Sequence, residues 1–482
     1  MAEATDKKAV PRSAWVVAIS AATLGIIYGY DGSNVAGAQL YFESYFGLTG
    51  NESAVETIVT ATVYGELIGA LAGGFVINRF GRKPSIVGVA VGYVIFCLLS
   101  AVAMSPLMLG VSRFFLGLTI GVSLIAVPIF VAESVPARIR GATLVAYQVA
   151  AVIGIILGYV GALALSGLDE SINWRIMLGL AAVPALLLIP ALIRLPETAR
   201  WLVMKGRIEE ARTSLERTDP DADVDAELRE ITDALSSERG GRLREMLRKP
   251  YLRATVFVVG LGFFIQITGI NATVAYGPKI FQAMGINTNT ESILMSTLVQ
   301  CIALIAVLTS MLVVDRWGRR PILLTGISIM IVSQLMMVLT FATQQGDSFT
   351  TGQIVLGFLG LAGINIGFVF GFGALVWVYS SESFPARLRG YGSSAMLGSD
   401  LLANILLAQF VLTVLSTIGG AWSFGIFAIL AVLAWIFVFR LAPETKGREL
   451  EEIQEFWENG GSWPDAGTAS GGQHVDLGKG KG

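Results

Sequence analysis

The chain has 482 residues, of which 54% are hydrophobic and 15% are charged, and its mean hydropathy is +0.67. Soluble proteins carry about 25% charged residues, so this composition places most of the chain in a lipid bilayer. A formal net charge of −2 gives no overall field that would favour nucleic acid. The only histidine, His474, lies in a Gly-rich tail, which excludes a histidine proton relay or a His-based metal site in the membrane.

Twelve long apolar segments, in two groups of six, follow one another along the chain. A helix needs about 20 residues to cross the hydrocarbon core, and each segment is near or above that length. We therefore predict an all-α integral membrane protein with twelve transmembrane helices. The segments lie near residues 14–36, 57–77, 84–104, 106–131, 142–165, 175–194, 252–280, 293–314, 321–342, 352–380, 391–415 and 421–440.

Basic residues cluster after the second, fourth, eighth and tenth apolar segments, and the alternate loops lack them. The loop over 37–56, for example, carries Glu43, Glu52 and Glu56 but no Lys or Arg. Because basic loops face the cytoplasm, we predict that the basic loops and both termini are cytoplasmic. The basic clusters are Arg79, Arg82 and Lys83, then Arg138 and Arg140, then Arg316, Arg319 and Arg320, and finally Arg387 and Arg389.

A charged stretch, residues 196–250, separates the two groups of segments. It contains short apolar stripes such as Ile208, Ala211 and Leu215, whose spacing predicts amphipathic helices. Two roles stay open for it, a simple linker between halves or a gate. The predicted domains are an N-terminal six-helix bundle over 1–195, a cytoplasmic helical linker over 196–250, a C-terminal six-helix bundle over 251–445 and a cytoplasmic tail over 446–482 whose Gly- and Ser-rich end is disordered.

The two halves share short charged motifs. Residues 133–141 read ESVPARIRG and residues 382–390 read ESFPARLRG, and a Pro-Glu-Thr triplet recurs at 196–198 and 443–445. Repeated halves within a mostly apolar chain are typical of secondary transporters. The sequence therefore predicts a carrier built from two related bundles.

Longer motifs give a family resemblance. The loop 78–83, NRFGRK, and its repeat 315–320, DRWGRR, resemble the signature loop of the major facilitator superfamily. Residues 196–202 (PETARWL) and 443–447 (PETKG) resemble two motifs of its sugar porter branch, and 269–271 (GIN) matches the end of the QQxxGIN motif of that branch. The chain is most similar to bacterial proton–sugar symporters and facilitative glucose transporters. This resemblance implies two six-helix halves that work by alternating access.

Charged groups at helix–loop junctions form the first candidate site. The resemblance implies that they make interhelical salt bridges that close the cytoplasmic side. Exposed ion pairs contribute about 0–1 kcal/mol each, which suits contacts that must open again. The alternative is that the basic members only set the orientation of the helices. The gate residues are Arg82, Glu133, Arg140, Glu197, Arg319, Glu382, Arg389 and Glu444.

Asp31 and Arg113 interrupt the first and fourth apolar segments. An ionised Asp in lipid costs several kcal/mol unless it is paired or protonated, and a guanidinium stays charged. Glycines on both sides of Asp31 permit either a broken helix or close backbone approach. By resemblance, Asp31 occupies the position of the proton-coupling aspartate of the bacterial symporters, where the facilitative glucose transporters have Asn. The alternative is a static Asp–Arg pair that only joins two helices.

Side-chain amides within the apolar segments predict a sugar site, because each amide offers both a donor and an acceptor. An unpaired amide in lipid would be costly, so these side chains should face a cavity or another helix. The alternative is that these amides only form hydrogen bonds between helices. Carried over by resemblance, the substrate-binding residues are Gln148, Gln266, Asn271, Asn404, Trp377, Tyr28 and Tyr276.

The predicted sugar site departs from the motifs of the branch at four positions. Ile265 replaces the first Gln of QQxxGIN, Ala374 the Pro of a tenth-segment GPxxW motif, and Ala275 the first Tyr of a YYAP stretch. Asp400 stands where the branch has Gln or Asn, and we include it in the substrate site. Asp400 could bind a polyol or an amino sugar, carry a second proton, pair with another group, or donate a hydrogen bond as a neutral acid.

These observations predict a proton-coupled symporter of a monosaccharide or polyol in the plasma membrane. A facilitative uniporter is the alternative, and a sugar sensor is disfavoured because the tail after Glu444 is short. No P-loop, metal-ligand spacing or catalytic triad is present in the sequence, so we expect neither an enzyme nor a cofactor. The expected partners are a small sugar or polyol, protons and the lipid bilayer, with no nucleic acid, and the expected functional unit is a monomer.

Overall fold

The structure, a computed structural model, describes residues 12–135, 137–218, 223–237, 243–344, 348–448 and 450–463. It is 85% helical, and its described residues contain no strand. The predicted disordered end of the tail, residues 464–482, lies outside the described residues.

The first half and the linker contain eleven helices among the described residues. The first half consists of α1 (Arg12–Tyr45), α2 (Glu52–Phe80), α3 (Arg82–Ala101), α4 (Pro106–Ser134), α5 (Ala137–Leu165), α6 (Asn173–Leu180) and α7 (Ala182–Arg194). The linker helices are α8 (Ala199–Met204), α9 (Ile208–Thr218), α10 (Val224–Ser237) and α11 (Leu243–Met246).

The second half repeats this arrangement. It consists of α12 (Leu252–Ile267), α13 (Ile270–Ala275), α14 (Gly277–Ala283), α15 (Asn289–Trp317), α16 (Arg319–Ala342), α17 (Thr351–Phe370), α18 (Phe372–Glu382), α19 (Ala386–Ile418) and α20 (Gly420–Leu441), and a short α21 (Leu450–Glu458) follows. The seventh membrane segment is broken between α12 and α13 at Gly269, whose φ of +97° suits glycine.

Length and hydropathy identify the membrane helices. Ten helical segments of the described residues are long and apolar enough to cross a membrane. Two more complete the set: α5, whose apolar part runs over Val149–Leu165, and α1, whose buried Asp31, Ser33, Asn34 and Gln39 lower its hydropathy. The predicted all-α membrane fold with twelve helices in two halves is confirmed.

Side-chain caps begin several of these helices. Asn51 accepts a hydrogen bond from the Ala54 N–H at the start of α2, and Ser105 accepts one from Met108 at the start of α4. Thr350 and Gln353 form a reciprocal capping box at α17. Such caps satisfy N–H groups that have no partner inside the helix.

Glycines allow the helices of the first half to pack closely. A Cβ on Gly117 of α4 would lie 1.9 Å from the Thr62 carbonyl oxygen, and a Cβ on Gly65 of α2 would lie 2.0 Å from that of Phe114. Lipid offers no hydrophobic drive between helices, so close backbone packing supplies much of their association. The α2–α4 contact therefore depends on these two small residues.

The bundle has two ends, which we call the linker side, where α8–α11 lie, and the far side. Each half has its own apolar core. A third apolar cluster contains residues of both halves, among them Phe42 and Val55 of the first half and Ala272, Tyr276 and Val411 of the second. This cluster joins the halves at the far side.

Helices extend further than the apolar segments predicted. The sequence places Glu43 and Glu56 in a loop, but Glu43 lies in α1 and Glu56 in α2. Both side chains are buried because they bind groups of the second half, and these contacts hold the polar helix ends in place.

Candidate functional site

Asp31 and Arg113 meet in the interior of the first half. The Arg113 Nη1 and Nη2 atoms donate to Asp31 Oδ1 and Oδ2 over 3.3 and 3.1 Å. Asp31 is 4% exposed and Arg113 is 1% exposed. Two parallel N–H···O bonds between charged groups form the strongest kind of side-chain contact, and burial strengthens it further. The structure thus brings together the two residues that the sequence analysis paired.

Helix α1 is continuous from Arg12 to Tyr45, and Gly29, two residues before Asp31, serves close packing. A Cβ on Gly29 would lie 1.9 Å from the Ala151 carbonyl oxygen of α5. The glycines therefore do not break the helix at this point. The close packing of α1 against α5 instead fixes the position of Asp31 along the bundle.

Two predicted sugar-site amides have free acceptor atoms. Gln266 and Asn404 are 8% and 6% exposed, and within the described part of the chain the Gln266 Oε1 and Asn404 Oδ1 atoms make no hydrogen bond. The Gln266 side chain lies beside Asp400 and interacts with it. Buried amide oxygens of this kind can accept hydrogen bonds from hydroxyl groups of a bound molecule.

The other predicted sugar-site residues differ in their surroundings. Tyr28 and Asn271 are partly exposed, and Trp377 is exposed. Tyr276 is fully buried, and its hydroxyl donates to the Ala408 carbonyl oxygen over 2.7 Å, so it joins α13 to α19. The Gln148 side chain lies outside the described residues.

Glu66 is a buried carboxylic acid that the sequence analysis missed. It lies in α2, is 7% exposed, and interacts electrostatically with Asp31, Asp400 and Arg113. The signal was visible, because a lone acid interrupts the Gly-rich apolar stretch 65–74. Ionisable residues within membrane helices belong to functional sites by default.

On the linker side of the first half, Arg82 holds Glu133. The Arg82 Nε and Nη2 atoms donate to the two carboxylate oxygens over 2.9 Å each, and the Thr198 hydroxyl donates over 2.7 Å. The Glu197 carboxylate accepts bonds from the main-chain N–H groups of Arg82 and Lys83, both 3.1 Å long. Burial raises the pKa of Glu197, against the opposing effect of these hydrogen bonds.

The second half repeats this arrangement. The Glu444 carboxylate accepts bonds from the main-chain N–H groups of Arg319 and Arg320 over 3.0 and 3.1 Å. Glu382 interacts with the charges of Arg319 and Arg389, and burial raises its pKa. The Arg140 side chain lies outside the described residues. The bonds described for each cluster join helices of one half to one another or to the loop that follows that half. The predicted gate role of the clusters stays a prediction.

Polar contacts between the halves lie on the far side. Glu56 of α2 accepts bonds from the Leu412 N–H (2.6 Å), the Thr413 N–H (2.9 Å) and the Thr413 hydroxyl (2.5 Å) of α19. Glu43 forms an ion pair with Lys279 of α14. Gln39 donates to the Ala275 carbonyl oxygen, Tyr159 to that of Val274, and Thr290 to the Ser166 hydroxyl. No motif in the sequence predicts these contacts.

Comparison with known proteins places this arrangement in a family. Residues 17–457 match the family model described as "Sugar (and other) transporter". The chain is 32% identical over 475 residues to "Probable polyol transporter 6" of Arabidopsis thaliana, covering 94% of this chain and 96% of the relative. It is 31% identical over 443 residues to the galactose-proton symporter of Escherichia coli strain K12, covering 91% and 93%.

A solved structure supports the same assignment. The inward open conformation of the xylose transporter XylE from E. coli superposes with a TM-score of 0.79 at 25% identity, covering 92% of this chain and 100% of that one. The family model, the relatives and the shared two-half architecture agree, and the chain therefore belongs to the sugar (and other) transporter family.

Proposed function

We propose that this protein is a proton-coupled symporter of a monosaccharide or polyol that works by alternating access. The observation that carries the proposal is the buried, two-bonded Asp31–Arg113 pair. Supporting it, the relatives include proton symporters of galactose and arabinose and transporters of polyols. A carboxylate that is paired with a permanently charged guanidinium can change its protonation state when the bundle moves.

Protonation of Asp31 is the coupling step of this proposal. An ionised Asp31 holds Arg113 through two charge-assisted bonds and ties α1 to α4. A proton on the carboxylate removes its negative charge and at least one acceptor position, which weakens the contact. The loaded carrier then changes conformation, and Asp31 releases the proton on the other side.

The substrate is bound by the amide groups and aromatic residues between the halves. Free acceptors on Gln266 and Asn404 suit the hydroxyl donors of a sugar or polyol. The exposed Trp377 ring offers an apolar face for the C–H surface of a sugar. Gln148, Asn271, Tyr28 and Tyr276 complete the proposed site, and Tyr276 acts through the contact of α13 with α19.

We assign the linker side to the cytoplasm, because the basic loops lie there. The far-side contacts between the halves then represent a closed outer gate, and the conformation is inward-facing. Both termini are cytoplasmic, the membrane is the plasma membrane, and the monomer is the functional unit. The two linker-side clusters close the inner gate when the halves meet on that side.

The test is proton movement on adding sugars and polyols to lightly buffered vesicles that carry the protein. Symport predicts alkalinisation outside with at least one hexose, pentose or polyol, and its loss in Asp31→Asn. Asp169→Asn is the matched control, because Asp169 lies in an exposed loop. Uptake of a compound without any pH change would refute symport and make the protein a facilitative uniporter.

A further inference from the structure

Glu66 and Asp400 lie at similar depth on facing helices of opposite halves. At the far side, Glu56 of α2 binds Leu412 of α19. Glu66 follows Glu56 by ten residues (66 − 56), and Asp400 precedes Leu412 by twelve (412 − 400). At a rise of 1.5 Å per residue, they lie about 15 and about 18 Å below that contact. The two carboxyl groups are close enough for their charges to interact.

The cluster carries an excess of acid. The cluster contains three carboxyl groups, because Glu66 interacts electrostatically with both Asp31 and Asp400. Arg113 is the one cation that acts on Glu66 within the described part of the chain. Both Arg113 Nη atoms already bond to Asp31. With a neutral sugar bound, full ionisation would leave two uncompensated negative charges in the bundle interior. Buried charge without a partner is strongly disfavoured, so the cluster must take up positive charge.

The neighbouring groups suit a proton as that charge. Tyr28 of α1 and Tyr147 of α5 also interact with Glu66, and neither is cationic. Gln266 lies beside Asp400 with its Oε1 atom unpartnered and buried, and Asn404 follows Asp400 by one helical turn with a free Oδ1 atom. An amide can donate to a carboxylate and accept from a carboxylic acid, so these side chains can bond Asp400 in either protonation state.

We propose that Glu66 and Asp400 form a second proton-binding site, separate from Asp31, so that each transport cycle moves more than one proton. This proposal rests on the proposed symport function. A proton from water on one side binds a carboxylate oxygen of the pair and returns to water on the other side. Its uptake removes the repulsion between α2 and α19 at mid-depth, which lets the two halves approach there. Release of the proton restores the repulsion and favours separation.

The first experiment needs no substrate, so its result is independent of the proposed transport activity. Infrared difference spectra of the full-length protein in lipid are recorded during a pH titration, following the C=O band of protonated carboxylic acids. We expect a band that persists in Asp31→Asn and is lost in both Glu66→Gln and Asp400→Asn. Both substitutions preserve side-chain size. If one variant fails to fold, the other still tests the proposal. Spectra of both variants identical to that of the unaltered protein would overturn the proposal.

The second experiment measures the proton-to-substrate ratio in vesicles from the reversal potential, with the compound that the uptake panel identifies. We expect the ratio to fall by one proton in Glu66→Gln and to stay unchanged in Glu52→Gln, a control on the same helix that keeps the cluster intact. An unchanged ratio in Glu66→Gln would overturn the proposal. Competition by a cationic amino sugar that Glu66→Gln abolishes, at an unchanged ratio, would also overturn it and assign the pair to substrate recognition.

Discussion

Replacing Glu56 by Ala should shift the protein away from the conformation described here. The carboxylate accepts three hydrogen bonds from α19, two of them from main-chain N–H groups of Leu412 and Thr413. A hydrogen bond to a charged group contributes about 1.5–3 kcal/mol, and a buried donor left without a partner costs about 1–3 kcal/mol. These contacts exist only when the far side is closed, so the loss falls on that state alone.

The size of the shift follows from these values. Water entering the gap would recover part of the loss, and the three bonds share one carboxylate, so we take about 3 kcal/mol as the net cost. At about 1.4 kcal/mol for each factor of ten, the ratio of far-side-open to far-side-closed molecules should rise by about a hundredfold. Glu56→Gln should shift it less, because an amide oxygen can still accept from both N–H groups.

Electron–electron distance measurements between two spin labels test this prediction. The labels are attached to cysteines placed at the exposed Ser53 and Ser416 on the far-side ends of α2 and α19, after Cys97 and Cys301 are replaced. The protein with Glu56 intact should give one short distance between the two labels. In Glu56→Ala a longer distance should dominate the distribution. Glu52→Ala, one turn away, is the control and should leave the short distance. If Glu56→Ala keeps the short distance, the carboxylate does not hold the halves together and the reasoning is wrong.

Three further predictions concern packing, the linker side and pH. Gly117→Val should destabilise the fold by at least about 1–3 kcal/mol through overpacking, which a lower unfolding temperature would show. Gly110→Val on the same helix should not lower the unfolding temperature, because the space around Gly110 is open. Arg82→Lys keeps the charge but loses the two-point contact with its carboxylate, so transport should slow severalfold, while Arg79→Lys at an exposed position should transport normally. Burial raises the pKa of Glu197 above its usual 4.5, so this group stabilises the fold most below pH 4.5. That contribution is lost as the pH rises from 4.5 through the folded-state pKa. Glu197→Gln should therefore flatten the decline of the unfolding temperature over this pH range.

Hydropathy along the sequence was sufficient to predict the membrane fold. Apolar segments of about 20 residues have few alternatives to a transmembrane helix, since every main-chain polar group must be satisfied internally in lipid. The charged repeats at 133–141 and 382–390 divided the chain into two halves. Asp31 and Arg113 could be paired in advance, because each would be costly alone in its apolar segment and family resemblance pointed to the first.

Only the tertiary structure showed which groups meet between the two halves. Glu56 and Glu43 belong to a stretch whose sequence resembles an acidic loop, and their partners Leu412, Thr413 and Lys279 lie far along the chain. Glu66 lies near Asp31 and Asp400 only because α2 packs against α4 and opposite α19. Local composition determines that a segment enters the membrane, whereas the helix rotation and depth that pair distant side chains depend on packing across the whole bundle.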